Sequence, residues 1–445
     1  MGSAGVNVSL SVRIVRSYLF MVMLLLPIDW FYPTGMLFRE GGAKPDIPLL
    51  VCGSVLILLL KPTYFLHMNI IVYQTGLLLI GIFMLGSVAF WINCLFTWSG
   101  YEYAKNPITQ FITQSTLFFL FTMAVVTHAN LLRFLEWRMF LLKTIPVVVI
   151  IHMSIFFLEY WQLLSVGHGP LSLFRTITTY ERPSGLMSEP SYFGAFVGMY
   201  GTVLVLIRSV PQYKLRCILG ILLFVCAVLT DAKTFIPVSV CALAVAVWQH
   251  PKSLLRIRYV PIAIVFLAVC SYVIVSRSAL DVQENYSSAM RLGSSVLALN
   301  VARHGYAVTG IGFGQFHFFY KPSFAPSFLV ATNESSIQFS SSIEYRASTF
   351  NYYVRLLLET GLVGLIMLLY MLYRIMRAAR YDFRPESLLG MLLLAGSLGF
   401  LFTQDTYFYP PLVIGLALVL GSIADPIAHH RFADRISFKL LCADR

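Results

Sequence analysis

Two stretches of this chain place arginines and carboxylates where they could hold an anion and move a proton. The first, RTITTYERPSGLMSEPSYFG from Arg175 to Gly194, brings Arg175, Glu181, Arg182 and Glu189 up to the start of an apolar run. Ser188-Glu189-Pro190 reads as a helix start, with proline tolerated in the first turn and an acid near the positive end of the dipole. The second stretch, 277–349, is polar and carries Arg291, Arg303, Arg346 and Glu344. Its spacing predicts an amphipathic helix from Ser287 to Arg303, with Met290, Leu297 and Val301 on one stripe. Arg291 falls on another face with Ser294, Ser295, Ala298 and Ala302, small side chains that leave room for a bulky anion. A guanidinium suits phosphate because its planar fork donates two parallel hydrogen bonds. The plainer alternative is a solvated arginine on an interfacial helix. Arg175, Arg303 and Arg346 are further cations that could contact an anionic substrate.

Gly310-Ile-Gly312-Phe-Gly314 lacks the GK[ST] ending and βαβ setting of a nucleotide loop, so a tight backbone turn is expected. An aromatic stretch follows, Phe316 to Tyr320, with His317 inside it. Ser348, Asn351, Arg355 and Glu359 then recur at helical spacing where the next apolar run begins. Ionisable groups in such a run are costly unless paired or functional. Arg355 and Glu359 are therefore each other's partners or substrate contacts, and either way mark the inside of a bundle. The proton acceptors on offer are Glu344, Glu189 and His317, in falling order.

The elements that must carry these residues are set by composition. Of 445 residues 58% are hydrophobic and 12% charged, against about 25% charged in an average soluble domain. Mean hydropathy is +0.77. A soluble enzyme and a disordered chain are both excluded, and an all-α polytopic membrane protein is expected. Apolar runs near 17–34, 46–61, 68–92, 108–127, 139–161, 189–208, 214–230, 234–248, 259–276, 350–373, 387–403 and 411–424 give about twelve transmembrane helices. Pro48 and Pro237 sit in two short runs, which are expected to be tilted, broken or re-entrant. No small-residue cleavage site follows Arg13 and Arg16, so a retained first helix is expected.

With both termini cytoplasmic, most lysines and arginines fall on the cytoplasmic side, as the positive-inside rule requires. The net charge of +12 then needs no nucleic acid. Residues 1–276 would hold helices one to nine with an outer loop at 162–188. The segment 277–349 would be a large outer loop containing the amphipathic helix, 350–424 helices ten to twelve, and 425–445 a cytoplasmic tail. The seven cysteines form no CxxC pair or disulfide framework, and no metal site is expected.

Arg182-Pro-Ser-Gly185 with Glu189-Pro190-Ser191, then Arg291, then Gly310-Ile-Gly312-Phe-Gly314-Gln-Phe316, then Asn351 with Gly361-Leu-Val-Gly364 follow one another in order. In this the chain resembles the superfamily of bacterial O-antigen polymerases and ligases, above all exopolysaccharide repeat-unit polymerases of Wzy type, from about 175 to 370. The resemblance implies a GT-C-like glycosyltransferase of the bacterial inner membrane with its large loop in the periplasm. It would act on undecaprenyl-diphosphate-linked oligosaccharides without metal or other cofactor, among membrane lipids, alongside a chain-length regulator and export machinery. It also implies that Arg182 and Arg291 hold the donor diphosphate. In the ligases a His precedes the Asn that matches Asn351, and here Phe350 stands in that place. That departure favours polymerase over ligase and leaves the base unassigned. A ligase, or from another class a flippase of lipid-linked sugars, is the alternative.

Overall fold

The computed structural model describes residues 10–29, 44–60, 68–97, 106–160, 183–187, 189–207, 210–230, 232–249, 286–319, 349–380, 382 and 384–424. They are helical, with no strand among them. The helices are α1 Leu10–Leu25, α2 Asp46–Leu60, α3 Ile70–Thr97, α4 Pro107–Leu131, α5 Leu135–Tyr160, α6 Pro190–Leu206, α7 Tyr213–Leu229 and α8 Phe235–Gln249. After these come α9 Tyr286–Val301, the short α10 Phe316–Phe319, α11 Tyr352–Ala379, α12 Pro385–Phe400 and α13 Pro410–Ile423. Four of them (α4, α5, α11 and most of α3) are long and apolar enough to cross a membrane. The run at 259–276 lies outside the described residues.

Helix position follows from how far round each surface is apolar. From Phe193 to Leu206 in α6, and from Pro410 to Ser422 in α13, every residue is buried, as expected of helices hydrophobic on all sides. Glycines let these inner helices approach closely. A Cβ on Gly198 would stand 2.6 Å from Val238 Cγ1, and one on Gly415 would stand 2.7 Å from Leu394 N. Around this centre, α3 presents Ile70, Tyr73, Leu77, Ile80, Met84, Val88 and Trp91 outward at helical spacing. An apolar stripe of that length faces lipid rather than water.

Several ends differ from the apolar runs for local reasons. The first helix starts at Leu10, seven residues before its apolar run, because long Arg13 and Arg16 side chains can stay exposed at its edge. It stops at Leu25, ahead of Pro27, which disfavours helical backbone in the residue before it. Pro48 and Pro237 fall in the first turns of α2 and α8, where proline is tolerated. The break in α6 is instead a π turn, Val197–Gly201.

Contacts sort the helix ends into two groups. At one end Arg216 donates to Leu142 O at 2.7 Å, Gln249 Nε2 to Ala379 O at 3.1 Å, and Arg384 to Ser422 O at 3.0 Å. Arg133, Arg138, Arg377 and Arg380 gather at this basic end too. At the other end meet the segments that follow α1 and α12 and precede α2, α6, α11 and α13. The candidate site lies there.

Candidate functional site

The mouth is organised by a broken helix. Within α11, Gly361 has φ +73° and ψ 179°, so the backbone leaves the helix for one residue. Leu362 N donates to Ala307 O at 2.8 Å, so the Leu358 carbonyl loses its partner four residues on. The carbonyls of Leu358 and Glu359 accept from Ile311 N and Gly312 N, both at 2.9 Å. Gly310, Gly312 and Gly314 all have positive φ, the backbone that glycine adopts without strain. The glycine-rich stretch is thus the tight turn its spacing suggests, and it plugs the break. Buried protein backbone at both partners is the condition under which a spanning helix can be interrupted. Asn93 Nδ2 adds a bond to Gly310 O at 3.1 Å. Within the turn, buried Phe313 packs among Phe83, Phe118 and Tyr407.

α9 runs Tyr286–Val301 and continues as a π turn to Tyr306, close to the amphipathic helix expected from Ser287 to Arg303. Leu297 and Val301 are buried as that stripe requires, but Ala298 and Ala302 are buried beside them, against Ile311, Phe316 and Leu358. The small side chains at these two positions let α9 pack closely on the bundle, so the room expected there for an anion is filled by protein. Ser295 Oγ donates to Thr349 O at 2.9 Å, which ties α9 to the foot of α11. Arg291 lies on the same helix, with only its backbone inside the described structure, and the same holds for His317 on α10. Arg303 is exposed on the π turn.

Asn351 does not share a helical face with Arg355 and Glu359, because it stands before α11 as its cap. Its side chain accepts from Tyr353 N at 3.0 Å and Val354 N at 3.2 Å and donates to Phe402 O at 3.3 Å. Arg355 and Glu359 are ion-paired, Nε to Oε1 at 3.0 Å. Arg355 also donates to Asp405 O at 2.5 Å and lies over the Tyr407 ring at 4.4 Å, and Tyr407 donates its hydroxyl to Glu359. Asp405 Oδ2 accepts from Thr349 N at 3.0 Å and Thr349 Oγ1 at 3.1 Å. Burial and the Glu359 charge raise the Tyr407 phenol well above the usual tyrosine range, so it stays a donor. Each member of this network has a protein partner, and its evident work is to fix the 401–409 segment on α11.

Glu189 caps α6 by position, with no side-chain bond to the backbone amides of its first turn. Its Oε2 accepts from Ser191 Oγ at 3.1 Å. The Pro183-Ser184-Gly185 turn is held by buried Glu159, at the end of α5, which accepts from Ser184 N at 2.9 Å and Gly185 N at 2.7 Å. Arg175, Arg182, Glu344 and Arg346 lie outside the described residues.

One group at this mouth escaped sequence reasoning. Lys44 stands over the rings of Tyr192 and Tyr409 at 5.2 and 5.7 Å. Burial lowers its pKa from the usual lysine range, and Asp46, Asp29 and Asp405 pull it back. The available signal was that Asp29 and Asp46 are acids inside apolar runs, the feature that singled out Arg355 and Glu359. Around Lys44 and Arg355, two cations, stand Asp29, Asp46, Asp405 and Glu359, four carboxylates. No group of three or more metal-ligating side chains occurs among the described residues. Compared with known proteins, the chain matches no family model and no curated sequence.

Proposed function

We propose that this chain is a polysaccharide polymerase of the bacterial inner membrane. It joins undecaprenyl-diphosphate-linked oligosaccharide repeat units at the periplasmic face. One observation carries the reading. Pieces far apart in sequence, the turn at 183–185, the glycine loop, Asn351 and Gly361, lie at one end of the bundle, two of them interlocked by backbone hydrogen bonds. They are the pieces on which the resemblance to repeat-unit polymerases rests. A GT-C-like bundle of twelve spans with both termini cytoplasmic fits the basic opposite end, since excess arginine marks the cytoplasmic side.

A sugar hydroxyl attacks the anomeric carbon of a second glycan, and undecaprenyl diphosphate leaves. The negative charge growing on the diphosphate needs preorganised cations. The described part of the mouth holds more carboxylates than cations, and by the resemblance to repeat-unit polymerases the role belongs to Arg182 and Arg291. Removing one is expected to cost about 3 kcal/mol of transition-state stabilisation, a hundredfold or more in rate.

Purified protein given the host's lipid-linked repeat units should yield a ladder spaced by one repeat. A single shifted band that needs an added acceptor means a ligase, and no covalent change means transport.

A further inference from the structure

A cavity of about 20 Å³ lies at this mouth, lined among others by Asp29, Lys44, Asp46, Tyr192, Tyr200 and Tyr409. That is room for about one water molecule or one hydroxyl group. Asp46 is 1% exposed, and its Oδ1 is buried with no hydrogen-bond partner. A buried carboxylate oxygen left without a donor is costly. Asp46 lines a space with room for one hydroxyl, where a general base could meet the proton it takes. The charged groups acting on Asp46 are Lys44 and Asp29, and the phenols of Tyr200 and Tyr409 feel its charge. Lys44 is the cation among them, and a neighbouring cation favours the ionised carboxylate. Glu189, by contrast, already accepts a bond from Ser191.

We propose that Asp46 is the catalytic base that takes the proton of the attacking sugar hydroxyl, with Lys44 as its neighbouring cation; this rests on the polymerase reading. As the hydroxyl oxygen bonds to the anomeric carbon, its proton passes to Asp46. The bond from that carbon to the diphosphate oxygen breaks, and the electron pair leaves with undecaprenyl diphosphate. Asp46 then gives its proton to solvent.

The test uses the full chain in lipid nanodiscs with undecaprenyl-diphosphate-linked repeat units from the host. Asp46→Asn should lower kcat by about a hundredfold or more with KM little changed. Lys44→Met should move the acid limb of the kcat profile up by about one pH unit, because the carboxylate loses its cation. Asp46→Asn turnover within threefold of wild type overturns the proposal. Should that variant fail to fold, an unmoved acid limb in Lys44→Met overturns it instead. A wild-type protein that makes no polymer overturns the polymerase reading and this proposal together. An active wild type with an active Asp46→Asn overturns this proposal alone.

Discussion

Replacing Gly361 with alanine should undock the glycine-rich turn from α11. At φ +73° and ψ 179° the backbone is in a region open essentially to glycine alone, and another residue there costs about 1–3 kcal/mol. The added Cβ would also run into the Val308 carbonyl. The chain can relieve both by closing the helix, so that Leu362 N returns to Leu358 O. Three inter-segment bonds are then lost, those of Ile311 N, Gly312 N and Leu362 N, and one is regained. At about 1 kcal/mol per net bond, plus the loss of buried packing by Ile311, the docked state loses about 2–3 kcal/mol. That corresponds to amide exchange about 30- to 150-fold faster at Ile311 and Gly312, since about 1.4 kcal/mol is a factor of ten. Hydrogen-exchange mass spectrometry on the detergent-solubilised protein reads this directly. Gly305→Ala is the control, because Gly305 also has positive φ but nothing within 4 Å of a Cβ. Unchanged exchange at 311–312 in Gly361→Ala, or an equal change in the control, would refute the reasoning.

Arg355→Met should destabilise the protein by about 3–5 kcal/mol, because it leaves a buried carboxylate without its cation. Thermal unfolding of this variant beside Arg355→Met/Glu359→Leu should show part of the loss recovered in the pair. Asn351→Ala should cost about 1–2 kcal/mol through loss of the α11 cap, read from the same melts. Lys44 has a pKa below the usual 10.5 when folded. Between the two values the unfolded chain binds more protons, so stability should rise with pH across that window. Lys44→Met should flatten that rise in a pH series of melting temperatures, and an unaltered slope would count against burial of the amine.

How much of this was legible in the sequence depends on how local the cause is. Periodicity and proline placement locate α2, α8 and α9 to within a few residues, because helix formation there answers to nearby residues. The tight turn at Gly310–Gly314 was legible for the same reason. The break at Gly361 was not, since a lone glycine in an apolar helix is ordinarily absorbed at modest cost. What opens the helix is the turn that replaces its bonds, some 50 residues earlier in the chain. Arg355 and Glu359 could be paired from their spacing, whereas Asp405, Tyr407 and Thr349 join them only through the fold. The small face of α9 misled for a related reason. Small side chains allow either a ligand or a neighbouring helix to approach, and only the packing of Ala298 and Ala302 tells which. Lys44 and Asp46 meet Tyr192 and Tyr409 across more than 140 and 360 residues of chain, beyond the reach of any motif.

The decisive measurement is product size from the purified protein and its host's lipid-linked repeat units, run beside Arg182→Ala and Arg291→Ala. The polymerase account predicts a ladder from the wild type and none from either variant, at equal protein level and membrane insertion. Wild-type polymer lengths from both variants, or substrate left intact by the wild type, would contradict it.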